Sequence, residues 1–161
     1  MKTYQRCKLC VLDTTDKDIT FNEDGICNHC IEWFPRVKAL PKSLEESEKN
    51  LNAISEQLKF AGKGKAYDCM IGLSGGVDSS YITYLAFKMN LRPLIVHFDN
   101  GWNSELAISN IEKIVKKCNF ELTTLVVEWE EFRALQKAYL SASVIDIEVA
   151  TDHAIIATLF K

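Results

Sequence analysis

The chain has 161 residues, 47% of them hydrophobic and 25% charged, with a formal net charge of −3 at pH 7. That profile belongs to a globular protein with one main core and room for a small appendage, and the acidic balance argues against a broad nucleic-acid surface. No apolar run approaches membrane-spanning length and the first residues lack a signal-peptide core, so the expectation is a cytoplasmic protein with no membrane partner.

Two cysteine pairs come first, Cys7-Lys8-Leu9-Cys10 and Cys27-Asn28-His29-Cys30, separated by sixteen residues. This is the CxxC…CxxC spacing of a structural zinc ribbon, in which each pair presents two sulfurs to one metal. Cys7, Cys10, Cys27 and Cys30 are therefore the expected ligands of a structural Zn2+. With four protein ligands the ion has no open position for a substrate, so its role is to hold the segment together. A redox dithiol or a disulfide pair is the competing reading of the same thiols. The stretch from Ile19 to Cys27 reads as a hairpin turning at Asn22 to Gly25. His29 is expected outside the ligand set, and Cys69 and Cys118 as buried apolar residues.

Pro35 and Pro41 bracket what reads as a connector, and Ser43-Leu44-Glu45-Glu46 has the capping-box pattern that starts a helix, continued by Leu51, Ile54, Leu58 and Ala61. Gly62-Lys63-Gly64-Lys65 ends it, its lysines expected in solvent. The expected organisation is a ribbon over 1–40, a connecting helix over 41–66 and an α/β domain over 67–161. Within that domain strands at 68–73, 93–98 and 121–127 alternate with helices near 79–89, 104–118 and 130–138, which implies right-handed crossovers and a parallel, Rossmann-like sheet covered on both faces. Ligands of such sheets bind at the carboxyl ends of the strands.

The first of those ends carries Ser74-Gly75-Gly76-Val77-Asp78-Ser79-Ser80. A strand that ends in two glycines flanked by hydroxyls and then enters a helix gathers backbone N–H groups around one concavity, an anion site. Glycine is expected at both 75 and 76, to let ligand oxygens reach the main chain and to allow positive φ. Tyr81, Ile82, Leu85, Ala86 and Met89 mark the inward face of the helix. Asp78 repels phosphate unless a divalent cation lies between them, so it predicts Mg2+. Asp99 and Asn100, in the turn after the second strand, are the next candidates for nucleotide contact, a turn and helix cap being the alternative. Trp102 is either a base shield or core, and His97 a packed strand residue. Thr151 or Asp152 is expected to cap a last helix, and Asp152 with His153 forms a pair suited to binding magnesium, orienting a substrate or shuttling a proton.

SGGVDSS resembles the signature of the PP-loop ATP pyrophosphatases, and neither GxxxxGK[ST] nor GxGxxG occurs in the chain. Together with the ribbon ending in Cys27-Asn28-His29-Cys30, with His97-Phe98-Asp99-Asn100-Gly101-Trp102-Asn103 and with Thr151-Asp152-His153-Ala154-Ile155, it makes the whole chain similar to the N-terminal part of the N-acetyl sugar amidotransferases. That resemblance implies the adenine nucleotide alpha hydrolase-like fold and an ATP- and Mg2+-dependent conversion of a sugar N-acetyl group to an acetamidino group, in the biosynthesis of bacterial surface polysaccharide or nonulosonic acid. It implies Ser74, Gly75, Gly76, Val77, Asp78, Ser79 and Ser80 at the nucleotide, an acetamido-sugar substrate and a glutaminase partner that supplies ammonia. Family members are longer, so the sheet is expected to be incomplete at its C-terminal side. Two other readings share the motif. A tRNA sulfur-transfer enzyme is disfavoured because no cysteine follows Cys118. The other is an inactive nucleotide-binding scaffold for a glutaminase.

Overall fold

Two antiparallel bridges, Arg6 with Asp13 and Phe21 with Cys27, shape the N-terminal unit of the computed structural model, which describes residues 3–160. The hairpin turn falls where the sequence put it: Gly25 N–H donates to the Asn22 carbonyl, Asn22 Oδ1 accepts from Ile26 N–H, and Gly25 takes φ +78°. Cys7, Ile19 and Cys27 are buried together, with Cys10, Phe21, Ile26 and Cys30 packed around them. The cysteines thus form much of this unit's core.

The 35–41 segment differs from its reading as a connector. Helix α1 runs Asn28–Lys38 straight through Pro35. Proline removes the N–H that would serve the Ile31 carbonyl, a loss better tolerated in a helix that buries no residue. Helix α2 (Leu44–Ala61) starts on the expected cap: Ser43 Oγ accepts from Glu46 N–H at 3.1 Å, and Glu46 Oε2 reaches back to Lys42 N–H at 2.9 Å. The chain divides into two compact units, Met1–Lys49 and Asn50–Lys161, with α2 crossing the division.

The second unit is α/β. Strands β1 (Cys69–Gly72), β2 (Pro93–Asp99) and β3 (Glu121–Val126) form a parallel sheet in that order, Ile71 beside Ile95 and Ile95 beside Leu122. The connections are α3 (Val77–Lys88) and α4 (Glu105–Cys118), followed by α5 (Trp129–Ser141) and α6 (Val149–Leu159). Alternate residues of a strand face opposite sides. Leu73, Ile95 and Ile111 make a core with Ile108, Ile114 and Val115 of α4 on one side, while Phe98 of β2 meets Phe132 of α5 edge to face at 6.3 Å. Central β2 is accordingly an almost continuous apolar run.

Two helices depart from their expected reading. In α3 the inward face passes through Thr83 and Ala86, and Tyr81 and Ile82 are more than half exposed. Helix α6 begins at Val149, not at Asp152. Its N-cap is Glu148, without a side-chain cap bond, so neither Thr151 nor Asp152 is the cap. Burial of Ala150 and Thr151 extends the helix by a turn at the expense of the stronger capping residues.

Arg92 closes the entry to the sheet. Its guanidinium meets Asp68 Oδ1 at 2.6 Å and also donates to the carbonyls of Lys65 and Gly62, and its backbone N–H donates to Asp68 Oδ2. The Asp68 side chain is 3% exposed, and the Arg92 hydrogen bond holds its carboxyl below the usual range. Among the described residues no helix is long and apolar enough to cross a membrane.

Candidate functional site

The loop at 74–80 takes its shape from both ends. Leu73 N–H donates to the Val96 carbonyl, carrying β1 one residue beyond its last ladder pair, and α3 begins at Val77 with Gly76 as N-cap. Glycine offers no side chain to cap α3. The first amides of the helix are therefore left for an external acceptor, and the helix dipole favours an anion there.

Gly75 has φ +78°, whereas Gly76 is extended at φ −77°, ψ 171°. The expectation of positive φ thus holds for the first glycine only. A Cβ on Gly75 would lie 2.3 Å from the Ala107 carbonyl oxygen of α4, and one on Gly76 would only approach Ser74 Oγ at 3.4 Å. Ser74 Oγ and Ser79 Oγ are 3.1 Å apart, and Ser79 Oγ also accepts from Ser74 N–H at 3.2 Å. Gly76 N–H points at Ser74 Oγ across 3.4 Å. Ser74, Gly76, Val77 and Asp78 are exposed, and Ser79 and Ser80 are half-buried. The result is a small open cradle of N–H and O–H donors. Asp78 lies exposed in the first turn of α3.

The parallel register sets the end of β2 beside this loop. His97 is 5% exposed, and its Nδ1 lies 2.9 Å from the Leu73 carbonyl. Since a carbonyl only accepts, Nδ1 carries the proton. Nε2 is buried with no hydrogen-bond partner among the described residues. Asp99 and Asn100 make the turn: Asp99 Oδ1 accepts from Gly101 N–H and Asn103 Nδ2, and Asn100 Oδ1 from Trp102 N–H. Ser104, not either of them, caps α4. Trp102 is 65% exposed and so is not core. It donates from Nε1 to Gln136 and packs edge to face on Trp129 at 5.5 Å, drawing the ends of β2 and β3 together. Asn100 and Trp102 also line a cavity of about 300 Å³ with Gln136, Leu140, Ile147 and Glu148.

Asp152 and His153 are exposed, while Thr151, Ile155 and Thr158 on the same helix are buried or half-buried. Ile155 and Thr158 line a cavity of about 150 Å³ with Ser74 and His97. The sheet-facing side of α6 therefore approaches the loop through apolar residues and a threonine. Lys63 and Lys65 stand in solvent.

In the N-terminal unit the four cysteine sulfurs lie within 4.8 Å of one another, with Cys7 to Cys30 at 3.9 Å and Cys10 to Cys27 at 3.7 Å. Four thiolates at about 2.3 Å from one zinc stand about 3.8 Å apart, so the donor set fits the ion. These separations are far beyond a disulfide bond, and all six cysteines are free. Burial pushes the Cys7 thiol up, but N–H groups of Cys27, Leu9 and Cys10 outweigh it and bring it to about 6. Burial and the neighbouring sulfurs of Cys10, Cys27 and Cys7 push Cys30 up to about 12. Four thiolates therefore need a cation at their centre. His29 lies outside the set, its Nε2 held at 2.8 Å by Asp16 Oδ2. Cys69 and Cys118 are half-buried, and burial raises both thiols.

Asn110 is the residue that sequence reasoning missed. From α4 its Nδ2 donates to the Gly75 carbonyl at 3.0 Å. A polar residue on an amphipathic helix gives no signal of such a contact.

No protein-family model matches the sequence, and no curated protein does. Among solved structures the chain is similar to NMN synthetase from Francisella tularensis, with 21% identity and a TM-score of 0.40 over 59% of this chain and 39% of that one. It is also similar to the NH3-dependent NAD synthetase from Campylobacter jejuni subsp. jejuni, in complex with the nitrate ion, with 13% identity and a TM-score of 0.48 over 70% of this chain and 50% of that one. The chain thus spans at most half the length of either protein, and neither transfers a substrate or a site residue to it.

Proposed function

We propose that the chain belongs to an ATP-dependent, pyrophosphate-forming enzyme that adenylates the carbonyl oxygen of a sugar N-acetyl group and admits ammonia to the activated carbon. The observation that carries this reading is the strand–SGGVDSS–helix cradle, with its uncapped helix start and its first glycine in the left-handed region. Backbone N–H groups at 76–79 and the hydroxyls of Ser74, Ser79 and Ser80 would bind the outer phosphates of ATP. Asp78 would hold a magnesium ion, which when bound offsets the charge that grows on the departing pyrophosphate.

In the first step the amide oxygen attacks the α-phosphorus, the bond from that phosphorus to the bridging oxygen breaks, and pyrophosphate leaves. In the second, ammonia adds to the amide carbon, AMP departs with the former amide oxygen, and loss of a proton gives the acetamidino group. Asp99 and Asn100, at the neighbouring strand end, are proposed nucleotide contacts, and Asp152 and His153 substrate or proton-transfer groups. Cys7, Cys10, Cys27 and Cys30 would hold a structural zinc. A separate glutaminase is the proposed ammonia source, and the cytoplasm the proposed compartment.

The test is pyrophosphate release from ATP, magnesium, an acetamido sugar and ammonia, for wild type and for Asp78→Asn. Release by the wild type alone supports the reading. Equal release by both proteins, or a wild type that binds no ATP, refutes it.

A further inference from the structure

The peptide planes of the cradle are set by two side chains that lie outside it. In a trans peptide the carbonyl of one residue and the N–H of the next point in opposite directions. Asn110 Nδ2 holds the Gly75 carbonyl toward α4 at 3.0 Å, so the N–H of Gly76 turns the other way, toward the hydroxyl of Ser74 and its neighbour Ser79. Two residues earlier, His97 Nδ1 holds the Leu73 carbonyl at 2.9 Å, and the N–H of Ser74 turns to Ser79 Oγ. Helix α4 fixes the loop from the same side, since the Gly75 α-carbon sits so close to Ala107 that no Cβ fits between them.

We infer that Asn110 is a positioning residue for the anion cradle, with His97 as its partner on β2. Its amide keeps the Gly76 N–H facing the bound phosphate. Without it the Gly75–Gly76 peptide can turn over, because extended Gly76 and left-handed Gly75 flank a bond that glycine leaves soft. A turned peptide would present a carbonyl oxygen to the phosphate and repel it. The inference rests on the nucleotide reading above and extends it to residues that touch no ligand.

The full chain with zinc serves for the test. Binding of inorganic pyrophosphate and of ATP, each with magnesium, is measured by calorimetry for wild type, Asn110→Ala, Asn110→Asp and Asn110→Gln, with thermal unfolding of each protein alongside. Loss of one hydrogen bond to a charged group predicts binding weaker by about 10-fold or more in Asn110→Ala. Asn110→Asp, which keeps the shape but sets a carboxylate against the Gly75 carbonyl, should be worse still. Asn110→Gln, which keeps the donor, should recover part of the loss. A merely structural residue would show no such order at equal melting temperature. In wild type, the Gly76 amide resonance should also shift on titration with pyrophosphate, a readout that needs no variant to fold. Wild type that binds pyrophosphate while Gly76 stays unmoved, or folded Asn110 variants that bind it as tightly as wild type, would overturn the positioning role alone. Wild type that binds neither ligand would overturn the nucleotide reading together with this one.

Discussion

Gly75→Ala and Gly76→Ala differ by one position, yet the structure assigns them opposite consequences. At Gly75 the φ of +78° puts an alanine in the left-handed region, at a cost of about 1–2 kcal/mol. The new methyl would also sit 2.3 Å from the Ala107 oxygen and 2.8 Å from its carbonyl carbon. Those atoms are backbone of α4, a helix anchored by Ile108, Ile111 and Ile114 in the core, so the helix has to shift as a body. Overpacking of this kind costs about 1–3 kcal/mol more. The total, about 2–5 kcal/mol, is a large share of a typical domain's stability and corresponds to a fall in melting temperature of about 10–20 °C. At Gly76 the backbone is one that any residue adopts, and the added methyl meets only the Ser74 hydroxyl at 3.4 Å. Its stability should stay within about 1 kcal/mol of wild type. The methyl would stand against the Ser74 hydroxyl that the Gly76 N–H faces, so the folded variant should lose pyrophosphate binding. Thermal unfolding followed by circular dichroism, with calorimetric titration of pyrophosphate, separates the two effects. Equal melting of the two variants, or undiminished pyrophosphate binding by Gly76→Ala, would refute the reasoning.

Removing the metal should act on the N-terminal unit, whose core is largely its own ligands. Chelation, or Cys30→Ser, should abolish tight zinc binding and collapse the amide dispersion of residues 3–40 while signals from the parallel sheet persist, because ion binding at such sites contributes about 10 kcal/mol to folding. Asp78→Asn, a change on an exposed first-turn residue, should leave melting nearly unchanged and abolish magnesium-dependent ATP binding, as calorimetry with and without magnesium would reveal. Asp68→Asn should cost about 1.5–3 kcal/mol at neutral pH by loosening the Arg92 clamp. Because Arg92 lowers the Asp68 pKa in the folded state, the clamp is at full strength above the ordinary carboxylate range and is lost as pH falls through the lower, folded value. Urea unfolding of both proteins should therefore give a gap that is constant near neutrality and closes in acid.

The parts legible in the sequence were those whose determinants sit next to one another in the chain. The cysteine knuckles, the Asn22–Gly25 turn, the Ser43 cap and the strand–loop–helix at 69–88 each lie within a few residues, and the structure has them where the spacing put them. Helix α1 is hidden because Pro35 reads as a breaker, even though Cys30, Phe34 and Val37 recur at helical spacing. The start of α6 was misplaced for the converse reason. Threonine and aspartate are good caps, but Ala150 and Thr151 are buried within the helix, and α6 packs on β2, a strand far away in the chain.

The same division explains what was hidden in the candidate site. Which of two adjacent glycines needs its missing side chain depends on Ala107, more than thirty residues away, and which way the Gly76 N–H points depends on Asn110. A motif can announce that a chain has an anion loop, because the donors are the backbone of the motif itself. It says nothing of the helix that presses on the loop and the amide that holds its carbonyl, since to local pattern α4 is one more amphipathic segment with polar residues on its outer face. The donors are local and their aim is not. Changes to α4 should therefore alter affinity for phosphate with every residue of SGGVDSS intact.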